Sequence, residues 1–374
     1  VQCQLSNEVD SNSTMKKLVD RYGRRISYLR ISVTDRCNLR CIYCCGTAQL
    51  RPKVEPADSN IVLSCKEIFG VVEVATSLGI GKIRITGGEP LMREDIVSLV
   101  RALSKIGGVA DLSLTTNGVF LSELAKELKK AGLRRVNVSL DALSREKYKF
   151  ISQVDCLHKV LEGISKALSV GLEPLKINVV VMKGVNDDEI VEFAQLTRKE
   201  PLHVRFIEFM PISCSVEYWR ERFIPNYEVR ACCESLGELK AITIKKEGLS
   251  SSSSGNISSS YRFSDAKGTI SFISPITEPF CSRCSRLRLT SDGKLRLCLG
   301  FPQEVDIMEI FRGGSSDTNI KGRGGAVISA LIRERIVFAA SLKPLGHRFN
   351  CSDYNTTSTS LFLHSRRAMC DIGG

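Results

Sequence analysis

Apolar positions along this chain follow two periods that take turns. In one kind of stretch they fill every second place or run on continuously, which predicts strands at 29–34, 82–86, 111–116, 135–140, 176–182 and 203–209. In the other they return every three or four residues, which predicts helices at 64–78, 93–105, 122–131, 156–170 and 187–197. Asn117-Gly118, Gly132 and Gly171 supply breaks between them. A β-then-α unit repeated in this way implies a parallel sheet with helical crossovers, an α/β fold. Six units fit an incomplete (β/α)6 TIM-like barrel or an open doubly wound sheet. In both, ligands belong at the carboxyl ends of the strands.

The loop after the first strand carries the densest chemistry. Cys37, Cys41 and Cys44 are spaced C-x3-C-x2-C, with Tyr43 just before the last. Thiolates bind soft metals, and an ordinary cubane iron–sulfur cluster takes four of them. Three leave one iron open to a small molecule. A structural zinc site needs four closed ligands, and no His or fourth thiol completes this set at zinc spacing. The next strand end is Gly87-Gly88-Glu89-Pro90, where paired glycines let backbone approach a ligand closely. The third ends Thr115-Thr116-Asn117-Gly118, and the fourth contains Asn137 to Asp141. No phosphate-binding P-loop occurs, and Gly322-Arg323-Gly324-Gly325 reads as a flexible linker. Phosphates of a bound nucleotide must therefore be met by side chains.

A second triad, Cys281, Cys284 and Cys298, is spaced C-x2-C-x13-C. A three-cysteine zinc site with a distant fourth ligand is the alternative here. Residues 286–290 and 294–298 read as a hairpin around Ser291-Asp292-Gly293. Period two puts Arg286 and Arg288 on one face. A two-residue turn would pair Leu287 with Cys298. A three-residue loop with left-handed Gly293 pairs Arg286 with Cys298 and gathers both arginines with the thiol, and this register is expected. Two guanidiniums beside an open iron suit an anionic ligand. Along the first strand, alternation likewise sets Arg30, Ser32 and Thr34 on one face. Arg283 reads as a solvated charge.

Composition narrows the field. With 374 residues, 43% hydrophobic and 25% charged, the chain can bury a sizeable core. No apolar run reaches the length of a membrane span. The net charge of +12 is scattered rather than blocked, so it suits a soluble basic surface at least as well as a nucleic-acid binder. Fifteen cysteines in metal-type spacings argue for ligation in a reducing compartment rather than disulfides. None of the four histidines sits in an acid–base constellation.

Taken in order, the blocks 29–44, 82–93, 114–118, 134–143, 176–187, 205–211 and 280–299 resemble the GTP 3′,8-cyclases of molybdenum-cofactor biosynthesis, a family of radical S-adenosylmethionine (SAM) enzymes. The resemblance spans roughly residues 15–311, and the Gly373-Gly374 terminus also matches. It implies a partial barrel closed by a C-terminal cluster-binding extension. Cys37, Cys41 and Cys44 would hold one [4Fe-4S] cluster, and Cys281, Cys284 and Cys298 a second, whose open iron meets the guanine. Tyr43, Gly88, Ser139 and Met210 match SAM contacts. Arg30, Arg84, Thr115, Lys176, Arg286, Leu287 and Arg288 match GTP contacts, with Arg30, Arg286 and Arg288 together with the Gly373-Gly374 end tied to catalysis. The implied reaction cleaves SAM to methionine and a 5′-deoxyadenosyl radical. That radical takes hydrogen from ribose C3′ of GTP, and C3′ then attacks C8. The product is (8S)-3′,8-cyclo-7,8-dihydroguanosine 5′-triphosphate, the first step of the cofactor pathway.

The implied partners are GTP, a second copy in a homodimer, an electron-donor protein, and a downstream cyclic pyranopterin monophosphate synthase as a separate chain, with no nucleic acid and no membrane span. The implied compartment is the mitochondrial matrix if the source is eukaryotic, or else the cytoplasm. The chain divides into a disordered leader (1–20), the barrel (21–235), an auxiliary-cluster domain (236–311) with a serine-rich loop at 250–260, and a divergent tail (312–374) ending in Gly-Gly. Departures from the family pattern are Cys45-Gly46 where Met-Pro is common, and Ser285 where Asn is common. Two competing functions stay open: another two-cluster radical SAM enzyme acting on a peptide or different nucleotide, and a non-catalytic zinc or nucleic-acid-binding module.

Overall fold

The computed structural model describes residues 17–45, 62–242, 259–312, 324–347, 349, 369 and 372. Twelve strands form one sheet: β1 (Tyr28–Ser32), β2 (Lys82–Thr86), β3 (Asp111–Thr116), β4 (Arg135–Ser139), β5 (Lys176–Val181), β6 (His203–Glu208), β7 (Lys240–Ile242), β8 (Ser259–Arg262), β9 (Thr269–Ile273), β10 (Arg286–Leu289), β11 (Lys294–Arg296) and β12 (Glu304–Asp306). The helices are α1 (Ile42–Cys45), α2 (Cys65–Ser77), α3 (Ile96–Ser104), α4 (Leu121–Lys130), α5 (Arg145–Ser152), α6 (Leu157–Ser169), α7 (Ile190–Lys199), α8 (Val216–Arg222), α9 (Asn226–Glu234), α10 (Met308–Arg312) and α11 (Gly325–Ser341). No described helix is long and apolar enough to cross a membrane.

Strands β1 to β6 lie side by side in chain order and all parallel. The extension adds a parallel strand at each margin, β10 beside β1 and β9 beside β6, before antiparallel strands finish the sheet. Laid flat, the six strand steps from β10 to β6 would span about 29 Å. Arg205 of β6 nevertheless feels the charge of Arg286 on β10, so the sheet curls into a partial barrel. The hairpin expectation holds: Arg288 pairs with Arg296 and Leu289 with Leu295, which in the same ladder sets Arg286 opposite Cys298. Gly293 closes the loop with φ of 74°.

The period-two pattern sorts the two faces. Leu29, Ile31, Ile83, Ile85, Leu112 and Leu114 are buried outward, where the apolar faces of α2, α3, α4, α6 and α7 cover them. The inward face carries polar side chains instead of the branched apolar layers of a TIM barrel. Capping fixes the first crossover, with Ser64 and Glu67 forming a capping box at the start of α2.

Several boundaries differ from expectation. The leader stops short of residue 20, because Leu18 is buried and its N–H donates to the Leu78 carbonyl at 3.1 Å. Ser259 and Ser260, placed in the serine-rich loop, are in β8; residues 250–258 lie outside the described residues. The helix expected from 93 starts at Ile96, since Glu89 and Pro90 first set up a 3-10 turn and Arg93 turns aside to donate to the Val33 and Leu63 carbonyls. Of the expected linker, Gly324 and Gly325 begin α11, and residues 322–323 are outside the described set.

Candidate active site

The cysteine loop leaves the carboxyl end of β1 and is held by the end of β2. The Gly88 N–H donates to the Thr34 carbonyl at 2.7 Å and the Glu89 N–H to the Arg36 carbonyl at 2.6 Å. A Cβ at Gly88 would sit 2.2 Å from the Arg36 carbonyl oxygen, and one at Gly87 2.8 Å from that of Thr34. The close backbone approach expected of these glycines is therefore made first to the cysteine loop itself. Glu89 is buried beneath, accepting from Thr116 Oγ1 and the Asn117 N–H, both at 2.7 Å. Burial outweighs these bonds and pushes its carboxyl up to about 7.

Cys37, Cys41 and Cys44 are half-buried on this loop. Asn117, from the end of β3, reaches Cys37 Sγ at 3.9 Å and Asn38 Oδ1 at 2.8 Å. Tyr43 donates to Asp141 beyond β4. Asn117, Ser139 and Asp141 line a cavity with Leu39, Cys41 and Tyr43. Met210 follows β6, half-buried against the core. The side chain of Cys45 lies outside the described residues.

Below this rim the inward face is cationic. Arg288, Arg30 and Arg84 stand level on three adjacent strands. Arg286 is on the same face as Arg288, and Arg135, Lys176 and Arg205 continue the set round the sheet. Seven cations share the lumen, and Asp111 neutralises Arg135 by a bidentate pair. Burial and mutual repulsion lower the pKa values of Arg30, Arg84, Lys176, Arg205 and Arg288. Burial and then Arg288 hold Arg30 well below its ordinary value. Burial and then Arg286 lower Arg288 to about 10. Burial and then Arg205 bring Lys176 down to about 7. Tyr28 stands among them, with Arg84 and Arg286 5.5 and 5.7 Å from its ring centre. Although burial opposes it, the fields of Arg84, Arg30 and Arg286 lower its phenol. Among the described residues, Arg205 Nε and Arg286 Nε are buried without a hydrogen-bond acceptor. This lumen is built for an anion of several charges.

The second triad sits at the β10 margin. Cys281 opens a short 3-10 turn that Cys284 ends, and Cys298 follows β11. Cys298 feels the charge of both other thiols. The Arg24 guanidinium, locked by buried Asp20 at 2.6 Å, donates to the carbonyls of Cys281, Pro344 and Leu345. Gly346 packs against Cys281, 3.7 Å from Sγ to its Cβ position. Among the described residues no three His, Cys, Asp or Glu converge on a point that would hold a single metal ion. The first triad follows the carboxyl end of β1 and the second lies at the amino end of β10, which runs parallel to β1, so the two thiol sets stand at opposite ends of the lumen.

Most expected residues therefore face the lumen or its rim. Leu287 is the exception: its side chain is fully buried on the outer face beside Leu29, because alternation opposes it to Arg286 and Arg288, so only its backbone could meet a ligand. Arg283 is exposed as expected. Gly373 and Gly374 lie outside the described residues, although Ile372 is buried and the Met369 N–H reaches Ser213 Oγ past β6. Sequence reasoning passed over Tyr28, Arg135 and Arg205, which the same alternation that marked Arg30 would have found. Nothing local marked Lys343, far along the chain.

Residues 31–197 match the Radical SAM superfamily, and residues 202–336 match Molybdenum Cofactor Synthesis C. GTP 3′,8-cyclase of Thermodesulfovibrio yellowstonii is 46% identical over 331 residues, covering 87% of this chain and 94% of that protein. GTP 3′,8-cyclase of Petrotoga mobilis is 44% identical over 359 residues, covering 96% of this chain and 100% of that protein. Among solved structures, Streptococcus suis SuiB bound to S-adenosylmethionine superposes with a TM-score of 0.53 at 14% identity, covering 80% of this chain and 68% of that one, a likeness of fold.

Proposed function

The chain belongs to the GTP 3′,8-cyclase family, and from that premise we propose how its residues divide the work. Two [4Fe-4S] clusters and SAM are the cofactors, and GTP is the substrate. Cys37, Cys41 and Cys44 hold the first cluster, and Cys281, Cys284 and Cys298 the second. When bound, the clusters supply the electron that cleaves SAM and an open iron that receives the guanine. The cationic lumen between the two triads carries this reading.

Tyr43, Ser139 and Met210, with the Gly88 backbone, hold SAM on the rim. Arg30, Arg84, Thr115, Lys176, Arg286 and Arg288, with the Leu287 backbone, hold GTP below it. Arg135 and Arg205 join the phosphate contacts. Arg30, Arg286 and Arg288 fix the ribose and base, so that C3′ faces the SAM 5′ carbon and C8 lies within reach of C3′. Arg288, 5% exposed, helps keep water from the reacting carbon. Gly373 and Gly374, which follow the buried Ile372 in the chain, take part in catalysis.

Residues 21–235 act as the barrel, 236–311 as the auxiliary-cluster domain and 312–374 as the tail. The protein works as a homodimer, takes electrons from a donor protein and passes its product to a separate cyclic pyranopterin monophosphate synthase. The relatives are bacterial, which favours the cytoplasm over the mitochondrial matrix.

Anaerobic incubation of the two-cluster protein with SAM, a reductant and GTP tests this reading. Cyclised triphosphate and one deoxyadenosine per product are expected, with little deoxyadenosine when GTP is left out. Equal SAM cleavage without GTP, and no product with it, would favour a peptide or another nucleotide as substrate.

A further inference from the structure

Lys343 follows the last long helix, α11, and lies beyond the residues matched to either family. It is 2% exposed. Its Nζ donates to the carbonyls of Arg286 and Leu297, each at 2.8 Å. The Leu297 carbonyl leads directly into Cys298, and Arg286 stands two residues past Cys284. No carboxylate pairs with this ammonium among the described residues, and a buried charge without a counter-charge is unfavourable. An ammonium carries three donors, and two are spent on carbonyls. The two bonds fix the buried ammonium against the backbone that carries Cys284 and Cys298. The Arg24–Asp20 pair clamps Pro344 and Leu345 beside Cys281, so the lysine cannot swing out without breaking a buried set of bonds.

We propose that Lys343 is a positioning residue that raises the reduction potential of the second cluster. The inference rests on Cys281, Cys284 and Cys298 holding that cluster. Reduction adds one electron, drawn from the external reductant, and so one negative charge beside a fixed ammonium. Charge and hydrogen bonds at the sulfurs are among the levers that set such potentials. The buried lysine thus favours the reduced form, and the cluster in turn supplies the counter-charge that Lys343 otherwise lacks.

Anaerobic redox titration followed by electron paramagnetic resonance tests this on the full two-cluster protein. A Cys281→Ala variant, lacking the second signal, identifies which resonance belongs to which centre. In Lys343→Met and Lys343→Gln, the reduced-to-oxidised ratio of the second cluster at a fixed poise should fall about tenfold, a shift of 59 mV for one electron. The first cluster should keep its midpoint, and Lys343→Arg should restore most of the second. Wild-type midpoints in a Met or Gln variant carrying two clusters' worth of iron overturn the proposal. So does loss of the second cluster's iron from both variants, which would make the lysine purely structural. Wild-type protein with iron for one cluster only would instead remove the assignment of the triad, and this proposal with it.

Discussion

Tyr43 donates its hydroxyl hydrogen to Oδ2 of Asp141 at 2.7 Å, tying the cysteine loop to the end of β4. The other oxygen, Oδ1, accepts from the Val180 N–H at 2.8 Å, so Asp141 is held from β5 while it holds the tyrosine. A hydrogen bond to a charged group contributes about 1.5–3 kcal/mol. Asp141→Ala should therefore raise the KM for SAM about tenfold or more with a smaller change in kcat, and Tyr43→Phe should do the same. Because they act as one pair, the double variant should lose little beyond either single one. Kinetics of deoxyadenosine formation check this, and additive losses would show that the two act separately.

Gly88 has no room for a methyl group. Its Cβ would fall 2.2 Å from the Arg36 carbonyl oxygen and 2.9 Å from that of Asp35. Gly88→Ala should displace the loop that carries Cys37 and destabilise the fold by about 1–3 kcal/mol. Iron and sulfide per chain should drop to about half that of the wild type, with the second centre's spectrum intact. Full iron content would mean that the loop adapts.

Arg288 is 5% exposed and level with Arg30 across the β1–β10 ladder. Arg288→Ala should keep both clusters and still bind SAM. Product formation should fall on the order of 100-fold, the scale expected when a reacting group is misplaced by about an ångström. Retained cyclisation in a protein with full iron content would take Arg288 out of the mechanism.

Lys176 titrates near neutrality because burial and then Arg205, Arg135 and Arg84 lower it to about 7 from an ordinary 10.5. The unfolded chain binds this proton over that interval and the empty barrel does not. The nucleotide-free protein should thus gain stability from pH 7 towards 10.5. A triphosphate recharges the lysine, so GTP binding takes up a proton and should weaken above pH 7, by up to roughly tenfold per pH unit. Calorimetry of GTP binding between pH 7 and 8.5, compared with Lys176→Met, separates the lysine from the titration of GTP itself. Equal slopes in the two proteins would exclude it.

What could be read in advance was local. Strands β2 and β3 fall where alternation puts them, and Gly293 set the hairpin register because a three-residue loop needs one left-handed position. Helix α5 was missed because Tyr148 and Ile151 are its only large buried apolar residues, too few to show a period. The docking of β9 on β6 and β10 on β1 was not legible either, since pairing across such separations leaves no pattern in either segment. At the site, spacing exposed both thiol triads, and alternation exposed Arg286 and Arg288. The purpose of Gly88 and the nearness of Lys343 to Cys284 depend on what the rest of the chain brings alongside.

A TIM barrel fills its centre with its own valines, isoleucines and leucines and is finished before any ligand arrives. Here the corresponding space holds like charges that repel, so the empty enzyme is an incomplete object whose last building block is the molecule it transforms. The product keeps the triphosphate, so its departure restores the repulsion among the cations, and the lumen that gathers the substrate also holds on to what it makes.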